Sequence, residues 1–207
     1  MRIRLDDLVV LRAGVARGRG AVEQTRPQAG VVRGAGWRLH RAWFEPVRRR
    51  LQAGGFTLDE LVSLSGYSKT CISELLRGKG YYPGWEITYS VVRPLNIPLW
   101  PLRRLWTAAA RDANKAEIWI TNRIDKVQPL QPERPPLAHQ GFTESMRQPY
   151  ASCARAFLQN DQRAQWAVSL VFDVLWLSWN EAAASPDVRR RVWCLLRSHV
   201  ALRAHAA

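Results

Sequence analysis

Cysteine is scarce in this 207-residue chain: Cys71, Cys153 and Cys194 are few, odd in number and far apart. They offer no disulfide framework and no CxxC pair, which fits a reducing compartment. Histidine is almost as rare. His40, His139, His199 and His205 stand at no metal-ligand spacing to a cysteine or an acid, so no zinc site and no other cofactor is expected. Long apolar runs are missing too, and no membrane span is expected. The first ten residues are interrupted by Asp6 and Asp7 and are too charged for a signal peptide. Catalytic signatures are also lacking. There is no phosphate-cradling glycine loop before a Lys-Ser/Thr pair, no GxSxG elbow and no pair of carboxylates near a histidine, so the chain is not expected to be an enzyme.

Acids are in deficit, 17 against 31 Lys and Arg, for a net charge of +14. Such a balance suits an anionic partner, because neutralising phosphates releases condensed counterions. The excess is uneven. Residues 1–50 hold 12 basic and 4 acidic side chains, residues 51–126 hold 10 and 7, and residues 127–207 hold 9 and 6. More than half of the excess therefore lies in the first fifty residues, and charge alone points only weakly to DNA.

The composition is otherwise that of a folded chain, and Ala, Leu and Arg dominate the periodic stretches, which favours helix over strand. Residues 1–36 are Gly-, Arg- and Ala-rich with small, scattered apolar side chains. They predict a flexible basic arm, either one that tracks phosphates or a misassigned start of translation. From Trp37 the character changes. Trp43, Val47 and Leu51, with Phe44 and Arg48 to Arg50 around them, follow an i, i+4, i+8 pattern that predicts an amphipathic helix ending at Gly54-Gly55. Pro129, Pro132, Pro135 and Pro136 predict a stiff linker over 128–139. It divides the expected first domain, 37–127, from a second, 140–207.

The sharpest local signal lies between Thr57 and Gly78. Thr57 and Glu60 stand three apart, as a capping box requires, and Leu58, Leu61 and Val62, with Leu64 at the edge, give a one-sided stripe. Ser65-Gly66-Tyr67 supplies a turn, and Ser68 is a good cap for the next helix. In that helix Ile72, Leu75 and Leu76 face inward. Lys69, Thr70, Ser73 and Glu74 are left on the outer surface, where a recognition helix meets base edges. Gly78 ends it, flanked by Arg77 and Lys79. Pro98 then opens a further helix, with Leu99, Leu102, Leu105, Trp106 and Ala109 on one stripe that Trp119 would extend; the spacing argues for a core helix.

This stretch resembles the lambda-repressor/Cro-like, or XRE-type, helix-turn-helix family. The resemblance is carried by Leu61, Gly66, Ser68, Ile72, Ser73, Leu75, Arg77 and Gly78, then Pro83, the stretch 85–95, Asn96-Ile97-Pro98 and 99–110, and covers about residues 40–112. It implies a five-helix DNA-binding domain whose second motif helix enters the major groove. Lys69, Thr70, Ser73 and Glu74 are then the expected base contacts, and Ser68, Arg77, Lys79, Arg48 and Arg49 the expected phosphate contacts. Two departures stand out: Leu58 occupies a place where family members often carry a phosphate-touching glutamine, and Glu74 puts an acid on the reading face.

Residues 142–204 predict two or three helices, with Met146, Tyr150 and Phe157 as core candidates in the first, aromatic residues on several faces of the second, and a last helix opened by Ser185 and Pro186. This region is similar, more weakly, to region 2 of extracytoplasmic-function sigma factors. The likeness lies in Phe172-Asp173-Val174-Leu175-Trp176, the loop after Trp179 and Val192-Trp193-Cys194-Leu195-Leu196; Arg163, Gln165 and Trp166 stand where those factors carry polymerase-binding acids. The expectation for the whole is an all-α, cytoplasmic, nucleoid-associated transcriptional regulator that binds double-stranded DNA. Its C-terminal helices would serve as a homodimer interface or dock on RNA polymerase or another regulator.

Overall fold

The computed structural model describes residues 35–78 and 82–204. Of the arm expected over 1–36, residues 1–34 lie outside the described residues, as do Lys79 and the side chain of Trp43, while Ala35 and Gly36 already belong to the first helix. The architecture is all-α. Ten helices and no strand occur among the described residues: α1 (Ala35–Ala53), α2 (Leu58–Ser65), α3 (Lys69–Arg77), α4 (Trp85–Val92), α5 (Leu99–Asp112), α6 (Glu117–Ile124), α7 (Leu137–Leu158), α8 (Asp161–Leu177), α9 (Trp179–Ala183) and α10 (Val188–Ala204). No helix among them is long and apolar enough to cross a membrane.

Local chemistry sets many of the boundaries. A single 3-10 turn, Arg93–Leu95, follows α4 and ends at Asn96 in the left-handed region. Asn114, also left-handed (φ 56°), stops α5, so the segment around Trp119 forms a separate helix rather than an extension. Asn160 opens α8 by accepting from the Arg163 N–H at 2.9 Å. At α10 the cap differs from expectation. The carboxylate of Asp187, rather than Ser185, accepts the Arg190 N–H at 2.8 Å, because a short acidic acceptor is ideally placed to satisfy a free amide at the helix start.

The first core gathers around Trp106. Its indole is fully buried and lies 5.6 Å from the ring of Trp85, 5.8 Å from Tyr82 and 5.9 Å from Trp119, nearly parallel to the last. Its polar atoms are matched: the indole N–H donates to the Pro83 carbonyl at 3.0 Å, and the Tyr82 hydroxyl donates to the Trp106 carbonyl at 2.7 Å. Phe44, Val47 and Leu51 of α1, Leu61 of α2, and Ile72, Leu75 and Leu76 of α3 close the same cluster. Leu64 points away from it and is exposed.

The C-terminal helices do not stand apart. Leu170 and Val174 of α8 are buried in that same first core, and α8 packs on both α5 and α1. Arg104 of α5 forms a two-pronged ion pair with Asp173 of α8. Glu181 of α9 pairs with Arg49 of α1 at 3.6 Å and with Arg191 of α10 at 3.2 Å. A second core of Tyr150, Ala154, Val171, Leu175 and Leu196 joins α7, α8 and α10. Phe157, expected in it, is 65% exposed, because its neighbour Leu158 takes the inward place on α7.

All the described residues lie in one compact unit, in which α8 shares the first core. The proline segment ends where α7 begins at Leu137, earlier than 139. It serves as a strap rather than a spacer: Val127 and Leu130 pack on the first core, and the Glu133 carboxylate accepts the Leu99 N–H at 3.1 Å. That contact supplies an acceptor to a helix whose first turn contains no acid of its own.

Two outcomes follow from this packing. Trp106→Ala removes the centre of the first core and should cost about 3–5 kcal/mol. Urea unfolding of the wild type, followed by far-UV circular dichroism and by tryptophan fluorescence, should give coincident single transitions; separate transitions would contradict a shared core. The second concerns Asp173, whose burial pushes its carboxyl up to about 6 from an ordinary 3.8, against the opposing charge of Arg104. A raised folded value means that its contribution is fully present below the unfolded value and is lost as pH rises through the folded one. Over that window wild type should lose roughly 3 kcal/mol relative to Asp173→Asn. Urea titrations of both proteins at about pH 4 and about pH 7 measure it, and a difference that is independent of pH would contradict it.

Candidate nucleic-acid interface

The pair α2 and α3 is fixed by its caps. The Thr57 hydroxyl accepts the Glu60 N–H at 3.2 Å, and the Glu60 carboxylate accepts the Thr57 N–H at 2.7 Å, a complete capping box. Those bonds favour the ionised carboxylate and hold the Glu60 carboxyl below its usual range. Gly66 then adopts φ 73°, a left-handed conformation that a side chain would strain, and so ends α2 sharply. Three residues later α3 begins, with the Ser68 hydroxyl accepting the Cys71 N–H at 3.3 Å. Gly78, also left-handed, returns its N–H to the Leu75 carbonyl at 3.1 Å.

Packing divides α3 into two faces. Ile72, Leu75 and Leu76 are buried, while Ser68, Lys69, Thr70, Glu74 and Arg77 are exposed. Lys69 reaches back to Asp59 of α2 at 2.7 Å, but both side chains are more than half exposed. Such a pair contributes at most about 1 kcal/mol, so the ammonium is easily released to another acceptor. Cys71 is half-buried, and burial, with the Glu74 carboxylate second, pushes its thiol up. It is a packing residue rather than a reactive thiolate.

Ser73 departs from its expected place. It is only 5% exposed, and its hydroxyl accepts from the Arg77 guanidinium, Nε lying at 3.0 Å. The physical reason is register. Ser73 follows Ile72 around the helix onto the flank that faces the core, and Arg77 one turn later covers it. Ser73 cannot meet a base edge without unpacking, while Arg77 remains exposed although its Nε also donates to the Ser73 carbonyl at 3.2 Å.

The two α1 arginines are also engaged within the fold. Arg48 Nη2 donates to the Leu76 carbonyl at 2.6 Å, so it caps the C-terminal end of α3. Arg49 pairs with Glu45 at 3.3 Å and with Glu181 at 3.6 Å. Neither role was legible from local sequence, because each partner is distant along the chain; the only hint was that Arg48 follows Phe44 by one helical turn, and its guanidinium lies 5.6 Å from that ring. The structure thus brings Ser68, Lys69, Thr70, Glu74 and Arg77 onto one exposed helix and separates Ser73, Arg48 and Arg49 from that set.

The exposed set has the functional groups of a base reader. An ammonium donates, a threonine hydroxyl donates or accepts, and a carboxylate accepts from an exocyclic amine such as that of cytosine. No family model, no curated protein and no solved structure matches this chain, so the geometry stands without a relative to interpret it.

Removing Arg77 should expose the cost of its internal role. Arg77→Ala leaves the Ser73 hydroxyl buried without its donor and should destabilise the protein by about 1–2 kcal/mol. The double variant Ser73→Ala/Arg77→Ala should recover part of that loss in urea titrations, since no polar group is then stranded. Equal stability of the single and double variants would show that the pair carries no structural weight.

Proposed function

We propose that this protein is a sequence-specific DNA-binding transcriptional regulator that lays α3 in the major groove. In this reading Lys69, Thr70 and Glu74 meet base edges, and Ser68 and Arg77 meet phosphates. The observation that supports it best is the division of α3: a core-facing side held by Ile72, Leu75 and Leu76, and an N-terminal half whose polar side chains are exposed. Arg48 acts indirectly, by holding the end of α3 through the Leu76 carbonyl. The excess of basic residues adds a sequence-independent attraction that weakens with salt. A protein of this kind works in the cytoplasm, on the nucleoid.

A second reading has its own support. Trp193 is 38% exposed and Phe157 is exposed on the same C-terminal group of helices, which suits a docking face for a second copy or for a transcription component such as RNA polymerase. The two readings are compatible, since α3 and these aromatic residues belong to different helices.

Selection of bound fragments from random duplex DNA, with wild type beside Lys69→Ala/Thr70→Ala/Glu74→Ala, tests the first reading. Wild type should enrich one motif. Each lost base contact should cost about 1–3 kcal/mol, so the triple variant should lose the motif while keeping weak, salt-sensitive binding. Equal enrichment by both proteins would remove α3 as the reading element.

A further inference from the structure

A cleft of about 740 Å³ opens between α5, α7 and α8. Its size lies within the range of roughly 300–1,000 Å³ typical of small-molecule sites. Trp100, Trp166 and Trp176 contribute rings to its wall, and Arg103 and Arg147 contribute cations. Other arginines at the cleft are already matched, Arg104 by Asp173 and Arg111 by Glu117 at 2.6 Å. Arg103 and Arg147 form no ion pair among the described residues. Arg103 lies 4.5 Å from the Trp100 ring and Arg147 lies 5.4 Å from that of Phe172, and Arg147 feels Asp173 only at longer range. Burial and the neighbouring charge of Arg104 both disfavour the Arg103 cation, a cost that a bound anion would relieve.

His139 adds a polar group of opposite kind. It lines the cleft, is 4% exposed, and its Nε2 lies 3.1 Å from the Phe172 carbonyl. A carbonyl only accepts, so Nε2 carries the hydrogen and Nδ1 presents a lone pair. That Nδ1 is buried with no hydrogen-bond partner. Burial also holds the ring below its ordinary protonation range, which keeps Nδ1 an acceptor at neutral pH. A buried acceptor without a donor is costly, and a ligand hydroxyl would satisfy it.

We propose that this cleft binds a hydroxylated aromatic carboxylate, with its carboxylate on Arg103 and Arg147, its ring among the tryptophans and its hydroxyl donating to His139 Nδ1. A monoanion suits the site better than a phosphate dianion, because the carboxylates of Asp173 and Glu133 also border the cleft. The inference is independent of DNA recognition, and its test uses no DNA.

The test is titration calorimetry of the full chain with the three hydroxybenzoate isomers, and with benzoate and phenol as probes that lack the hydroxyl or the anion. At least one hydroxybenzoate should bind saturably, with benzoate and phenol each about tenfold weaker or more. Arg147→Ala changes an exposed side chain and should preserve the fold, checked by near-ultraviolet circular dichroism. It should weaken hydroxybenzoate and benzoate alike by about tenfold. His139→Phe should abolish the preference for hydroxybenzoate over benzoate. The proposal is overturned if no hydroxybenzoate binds saturably, if a folded Arg147→Ala binds as tightly as wild type, or if phenol binds as well as the acids.

Discussion

Burial of the Trp106 indole is the constraint on which the rest of the structure depends. The ring is excluded from water, and both its N–H and its backbone carbonyl are satisfied, through Pro83 and Tyr82. Burying a large aromatic side chain contributes several times what an exposed ion pair does, on the order of 2–3 kcal/mol against about 0–1 kcal/mol. The surface pairs Lys69–Asp59, Arg111–Glu117 and Arg155–Asp161 therefore decorate a fold that the core decides. Position follows from that core. Tyr82 and Trp85 precede or open α4, Trp119 lies on α6 and Phe44 on α1, so α2 and α3 are carried on a platform of aromatic packing.

Helix α5 then works on two sides. Leu102, Leu105 and Trp106 face the first core, while Arg104 engages Asp173 on α8. The Arg104–Asp173 pair is not a simple source of stability. The Asp173 side chain is only 8% exposed, and removing its carboxylate from water costs more than the arginine returns, as its raised protonation range records. Its value lies in specifying how α8 meets α5: a carboxylate buried there with any other register would have no partner. The same contact forms part of the wall of the cleft, so the arrangement that unites the two halves of the chain also shapes that cleft.

Much of the helical order was legible in the sequence. The capping box at Thr57 and Glu60, the turn glycine Gly66 and the cap Ser68 are local devices, and each acts where its chemistry predicts. Other features depend on partners far along the chain and left no local trace. Nothing near Pro129 or Pro132 signals that Glu133 will reach the N–H of Leu99, so a strap resembled a spacer. Aromatic residues on several faces of α8 fit a largely buried helix, but periodicity does not say against what it packs, and part of it joins the first core. Ser73 shows the limit of a helical wheel at the edge of a stripe: a hydroxyl there faces solvent or a neighbour, and the long side chain of Arg77 decides. The cleft was illegible for the same reason, since Arg103 lies on α5 and His139 and Arg147 on α7, far apart along the chain.

The central claim is that the N-terminal half of α3 is the surface that meets DNA. The most direct measurement is a map of backbone amide shifts by nuclear magnetic resonance as duplex DNA is added to the full chain. The account predicts that the largest changes fall at residues 68–74 and at Arg77, with the amides of α7 and α10 little affected. Changes confined to α7, α8 or α10, with those of α3 unmoved, would contradict it and would make the C-terminal helices the functional surface.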